Sequence, residues 1–307
     1  MTYIKKYIGD RSFYQTTFYI ALPLALQMLL QSCMSIIDTM MVSSIGMVTA
    51  VGNASQILML HDGISWGTIS GIAMFASQFF GAKQKDNLGK CFVLSLVIGI
   101  SNALFWMIMT GFFGGQIMYF YLQDVEVLYY SQLYMQVMVF YLLPYAINNS
   151  FMTLYRSTHQ TKITLYFSIV GAIANVCLNG FFIFGLNLGV VGAAYGSVIA
   201  QVIVLGCNVV YAIKTKQAFI ENFAHHFKLD LKFVKPIVYK MLPLIINETL
   251  FGFGMTLFVK AFGLLGTDSM SAYYVANQIF QLFLFAVNGY GSAVTILVGT
   301  RLGEGRI

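Results

Sequence analysis

Residues 22–46 read LPLALQMLLQSCMSIIDTMMVSSIG, and residues 242–266 read LPLIINETLFGFGMTLFVKAFGLLG. Leu22, Pro23, Leu24 and Gly46 recur 220 positions later as Leu242, Pro243, Leu244 and Gly266. Beyond that frame the offset becomes 222 and holds for Ala50/Ala272, Ala54/Ala276, Gln56/Gln278, Ile57/Ile279, Gly67/Gly289, Ser70/Ser292 and Gly81/Gly303. A Pro-to-Gly frame followed by Gln, Gly and Gly at fixed spacing marks an internal repeat, not the chance likeness of two apolar runs.

The medium follows from composition. Of 307 residues 58% are hydrophobic and 9% charged, and mean hydropathy is +0.76. A soluble domain carries about 25% charged residues, so this chain lacks the polar groups to cover a water-facing surface. Lipid asks for the opposite, with backbone polar groups satisfied inside helices. The cysteines at 33, 91, 177 and 207 lie far apart in apolar runs without CxxC or metal spacing. They read as small buried hydrophobes rather than a disulfide framework.

A helix needs roughly 20 apolar residues to cross a bilayer. Eight stretches qualify, at about 14–37, 51–80, 91–113, 128–151, 164–186, 190–213, 239–262 and 271–300. Glycines at 114–115, 185–189 and 263–266 supply the expected turns. Lys5, Lys6 and Arg11 precede the first span; Lys83, Lys85 and Lys90 follow the second; Arg156 and Lys162 follow the fourth. Six lysines between 214 and 240 follow the sixth span, and Arg301 and Arg306 follow the eighth. Only Lys260 falls elsewhere, at the far end of the seventh, where it is expected to snorkel to the interface. Alternate loops are therefore basic, which is the positive-inside pattern of a multi-pass cell-membrane protein with a cytoplasmic N-terminus. The net charge of +6 reports topology, so no nucleic-acid partner is expected.

Six spans separate the two copies of the repeat, so both enter the membrane from the same side. Parallel halves of this kind occur among secondary transporters, with substrate sites near mid-membrane. If the first half is residues 1–213, residues 214–238 form a cytoplasmic connector and 239–307 hold the first two helices of a second half. The counterpart of the other four helices is then expected beyond Ile307. With no P-loop, nucleophile elbow or HExxH, the chain is expected to be no enzyme and to draw on an ion gradient.

Ionisable groups inside a bilayer are costly and mark candidate sites. Asp38, near the outer end of the first span, can hold a proton or Na⁺. Asn175 and Asn179 stand four apart, sharing one helix face on which their amides can surround an ion or simply join helices. Glu248 lies five residues past Pro243 as a second acid, and His61-Asp62 reads as a local hydrogen bond or a proton relay. Gln56 and Gln278 are the repeated polar positions of the second and eighth spans. Pro23, Pro144 and Pro243 invite kinks or mark first turns.

In order along the chain, Pro23 with Asp38, Ala73-Met-Phe-Ala-Ser-Gln78-Phe-Phe-Gly81-Ala82, Tyr155-Arg156-Ser, Asn175-x-x-x-Asn179 and Gly189-x-x-Gly192-Ala-Ala resemble the multidrug and toxic compound extrusion (MATE) family of antiporters. The resemblance implies an all-α polytopic membrane protein of two six-helix lobes, here a complete six-helix N-lobe plus the first two C-lobe helices. It implies a monomer that exports organic cations or similar amphipathic solutes against H⁺ or Na⁺, with no cofactor. Asp38 is then the coupling acid and Asn175 its network partner, with Na⁺ held at Asp38, Asn175 and Asn179 if Na⁺ is the ion. Many members carry Asp where this chain has Asn179, and Glu248 lies about a turn nearer Pro243 than the sodium-coupled branch places its acid. A related two-lobed lipid or lipid-linked oligosaccharide flippase is the alternative; it calls for cations lining a central cavity, whereas here they sit in loops.

Overall fold

The computed structural model describes residues 11–305. Lys5, Lys6 and Arg306, which bear on the charge pattern, lie outside the described residues. Among the described residues the chain forms eight long helices: α1 (Arg11–Ser43), α2 (Val48–Gly81), α3 (Lys85–Tyr121), α4 (Val125–Ser157), α5 (Thr161–Gly185), α6 (Gly189–Lys214), α7 (Leu231–Gly263) and α8 (Thr267–Gly303). All but α2 are long and apolar enough to cross a membrane. Hydropathy misses α2 because it carries buried Asn53, Gln56, His61, Thr68 and Ser77, which α3, α4, α7 and α8 wrap away from lipid.

Local chemistry sets the ends. Gly46, Gly189 and Gly266 turn the chain with φ of +71°, +57° and +102°, a region where a side chain is strained. Asp124 caps α4 by accepting from Val127 N at 3.0 Å, and Asp230 caps α7 by accepting from Lys232 N at 3.1 Å. Most helices outrun the expected spans. The glycines at 114 and 115, expected in a turn, instead lie inside α3, with the amide of Gln132 filling the space beside Gly115. Within the expected connector, α7 already begins at Leu231.

The prolines act inside helices. Pro23 and Pro243 sit within α1 and α7, not in first turns. In α4, residues Val139–Tyr141 tighten to a 3₁₀ turn ahead of Pro144, which cannot donate to the carbonyl of residue 140. Residues Phe181–Gly185 end α5 in a π turn.

Packing follows the repeat. α2 packs chiefly on α7, and α8 packs about equally on α1 and α2, while α1 scarcely touches α2. A Cβ at Gly67 would strike the backbone of Ile245, and one at Gly289 would strike the backbone of Ala25. Ile245 and Ala25 are themselves repeat equivalents, offset by 220. A cluster of Phe92, Phe151, Tyr155 and Phe219 fastens the connector to α3 and α4. The short helix Phe223–His226 adds to it, with His226 Nε2 3.3 Å from Asp86 Oδ1. The cysteines are free; Cys91 is buried, but Cys177 is exposed on α5, on a face suited to lipid rather than core.

Candidate functional site

Asp38 sits within two turns of the end of α1, half-buried where α1 meets α5. The helical spacing of Asn175 and Asn179 turns both amides of α5 toward it. Asn179 Nδ2 donates to Asp38 Oδ1 at 2.8 Å and to Asn175 Oδ1 at 3.1 Å. One terminal atom of the Asn175 amide lies 2.8 Å from Asp38 Oδ1 and the other 3.1 Å from Ser197 Oγ. Buried Tyr134 of α4 lies within electrostatic reach of the same carboxylate. Asp38, Asn175 and Asn179, expected as one group, are therefore brought together.

The Asn175 amide can take two orientations in this group, each suited to a different state of the acid. Toward an ionised Asp38, Asn175 would present Nδ2 as donor and accept the Ser197 hydroxyl proton on Oδ1, giving up the hydrogen bond from Asn179. Toward a protonated Asp38, the amide turns over, Oδ1 accepts the acid proton and Nδ2 donates to Ser197. Asn179 Oδ1 finds no hydrogen bond among the described residues and rests on Gly196, where a Cβ would not fit. That oxygen faces α6, while the Nδ2 of the same amide faces the carboxylate.

Gln278 of α8 lies nearby and outside the group: its Oε1 accepts from Ser35, one turn before Asp38, at 2.5 Å. Gln56 does not join. It donates to Gly52 O at 3.2 Å and lies beside Tyr274. Glu248 stands apart too, on α7, where its carbonyl packs against Gly63 of α2. Lys260 lies over the Phe120 ring at 4.9 Å.

Two partners were not legible in advance. Ser197 follows Gly196 in a small-residue stretch that reads as close packing, and Tyr134 is one of 19 tyrosines. A second polar network also escapes the sequence: Asn148 donates to Gln201 Oε1 at 2.8 Å, Asn208 donates to Asn148 Oδ1 at 3.0 Å, and Tyr155 donates to Asn208 O at 2.9 Å. It ties α4 to α6.

Comparison with known proteins finds relatives along most of the chain. The MatE family model matches residues 23–181 and 243–307. The chain is 24% identical over 299 residues to the probable multidrug resistance protein YoeA of Bacillus subtilis, covering 92% of this chain and 63% of that protein. It is 24% identical to the probable multidrug resistance protein NorM of Synechocystis, covering 99% of this chain and 67% of that one. Its backbone is similar to that of the solved MATE multidrug transporter DinF-BH, with a TM-score of 0.86, 20% identity, and coverage of 97% of this chain and 67% of that one.

Proposed function

Because the chain belongs to the MatE family, whose relatives are transporters and not enzymes, we propose that it carries the ion-coupling half of a multidrug antiporter. In this reading H⁺ or Na⁺ enters at Asp38 and an organic, cationic solute leaves. The chain spans 63% of the length of its YoeA relative, so the activity of a whole transporter is proposed on that footing. In this reading the protein acts as a monomer, and the alternation of basic loops supports a multi-pass cell-membrane protein with a cytoplasmic N-terminus.

The observation that carries the reading is Asp38 set among Asn175, Asn179, Ser197 and Tyr134 inside a membrane helix bundle. An ionised carboxylate there is tolerated only while amides donate to it. Taking up a proton or Na⁺ removes the charge and turns the Asn175 amide over, so α1 and α5 prefer different packings in the two states. Because α8 lies along α1 and is tied to it through Ser35 and Gln278, a shift of α1 reaches the second repeat directly.

The test reconstitutes the chain in liposomes and follows ethidium movement under an imposed pH or Na⁺ gradient. Gradient-driven movement that Asp38→Asn abolishes supports the reading; the gradient that drives it identifies the ion. Undiminished movement in Asp38→Asn rejects the coupling role.

A further inference from the structure

The basic end of α7 carries charge that the Asp38 group does not use. Residues 227–240 read FKLDLKFVKPIVYK, with lysines at 228, 232, 235 and 240 and a single acid, Asp230. That acid is already engaged as the cap of α7. All four lysines are exposed, and none makes an ion pair with a carboxylate among the described residues.

The helix fixes which way this charge faces. Ile237 and Met241 are buried in the core that α2, α3 and α4 build, and Phe233 stacks on Phe79 of α2 with ring centroids 5.8 Å apart. Lys232, Lys235, Tyr239, Leu242 and Ile246 fall on the opposite side of α7, within about 80° of arc. Lys240 falls outside that arc. From Leu242 onward the stripe is exposed and apolar, through Ile246 and Leu250, a face suited to acyl chains. Toward the start of the helix it turns to lysine. Tyr239, 77% exposed, stands at the boundary, where tyrosine is favoured at a membrane–water interface.

The connector holds this face in place. Phe219 is fully buried, with the rings of Phe92 and Tyr155 at 5.0 and 5.4 Å. Gln160 and Gln217 exchange amide hydrogen bonds of 2.7 and 3.1 Å. The His226 ring, paired with Asp86, lies against Gly89 of α3. Residues 227–230 alone join this anchored segment to α7, so Lys228 is kept at the foot of the lysine face. Cations on an anchored surface lose less freedom on binding than cations on a loose loop.

Lysines above an apolar stripe are complementary to a phosphate that carries acyl chains. A zwitterionic headgroup brings its own ammonium, which these lysines repel, so the face selects a lipid of net negative charge. A soluble polyanion meets the charge and gains nothing from the stripe. We propose that Lys228, Lys232, Lys235 and Tyr239 form a docking site for an anionic phospholipid, its phosphate among the lysines and its chains along Leu242 and Ile246. The orientation read from the basic loops puts this lipid in the cytoplasmic leaflet; the contact itself does not depend on the transport reading.

Native mass spectrometry of the purified chain, offered phosphatidylglycerol and phosphatidylcholine in equal amounts, reads the preference. The parent should retain phosphatidylglycerol over phosphatidylcholine by about fivefold or more. The Lys232→Gln/Lys235→Gln double variant should bring the ratio close to one. Lys214→Gln/Lys240→Gln removes the same charge outside the face and should leave the ratio as in the parent. Glycerophosphoglycerol, the headgroup without chains, should not displace the lipid. No preference in the parent, equal loss in both double variants, or displacement by the bare headgroup overturns the site. Lysine acetylation of the unaltered parent tests it without any substitution. Bound phosphatidylglycerol should protect Lys232 and Lys235 and leave Lys240 reactive, whereas equal protection of all three overturns the site. Each of these failures leaves the Asp38 reading standing.

Discussion

Gly81 of α2 rests on the carbonyl of Thr300 in α8, and Gly303 of α8 rests in the same way on the carbonyl of Gln78 in α2. Thr300 is the repeat equivalent of Gln78 at the offset of 222. The two contacts are therefore one contact made twice across a local two-fold relation. A third pair repeats it at mid-membrane: Ser32 Oγ donates to Gln281 O, and Gly252 lies against Met59 O. Two repeats that enter the membrane from one side meet here along two copies of one seam, the arrangement expected of halves that rock against each other.

That seam is sensitive to volume. Gly81→Val or Gly303→Val places a side chain where backbone already sits, so each should lower stability by about 1–3 kcal/mol, read as a drop in melting temperature in detergent. Gly111→Ala, where nothing lies within 4 Å, should be neutral or slightly stabilising, because alanine is the better helix former. Equal melting temperatures for Gly81→Val and Gly111→Ala would refute the close seam.

The Asn175 amide predicts coupled losses. Asn175→Leu and Ser197→Ala each break the path from Asp38 to Ser197, so the double variant should lose little more than the worse single one. A double-mutant cycle on unfolding in bicelles should give an interaction energy of about 0.5–2 kcal/mol. Strict additivity would mean that the two side chains do not act as a unit.

His159 predicts a pH dependence at the basic end. It lies in the turn after α4, outside the spans, with φ of +63°, and its Nε2 is 3.0 Å from Thr300 Oγ1. Burial lowers its pKa from the usual 6.5, opposed in part by Glu304. Below 6.5 the unfolded chain therefore takes up a proton before the folded one, and stability falls with falling pH; well above 6.5 the group has no effect. His159→Gln should flatten the melting-temperature profile between about pH 5 and 7. An unchanged slope would assign the pH dependence to other groups.

The α4–α6 network predicts a large structural cost. Asn148→Leu leaves Asn208 and Gln201 without their buried partner, which should destabilise the chain by about 1–3 kcal/mol. Asn208→Leu should cost a similar amount, and the two losses should overlap. Loss of gradient-driven transport without loss of stability would instead place Asn148 in the transport path.

The membrane class, the helix positions and the internal repeat were legible in the sequence because each rests on local composition or on spacing along one chain. So was the pairing of Asn175 with Asn179, which a helix of about 3.6 residues per turn puts on one face whatever surrounds it. The glycines at 114 and 115 misled for the converse reason: glycine signals a turn only when no neighbour fills its space, and Gln132 does. The second span, expected at 51–80, is a helix as read, though polar enough to fall outside the membrane-crossing set because its neighbours, not lipid, are its solvent.

Sequence alone thus determined that Asp38 and the Asn175–Asn179 pair are unusual polar groups in an apolar chain. Tertiary structure decided that they meet, that Ser197 and Tyr134 complete the group, and that Glu248 and Gln56 stay outside it. It also decided that Asp62 pairs with its neighbour His61 and reaches Tyr145 of α4. The physical reason is range: periodicity orders residues within one helix, whereas which faces of different helices touch depends on close packing between segments more than a hundred residues apart, such as Asp38 and Asn179.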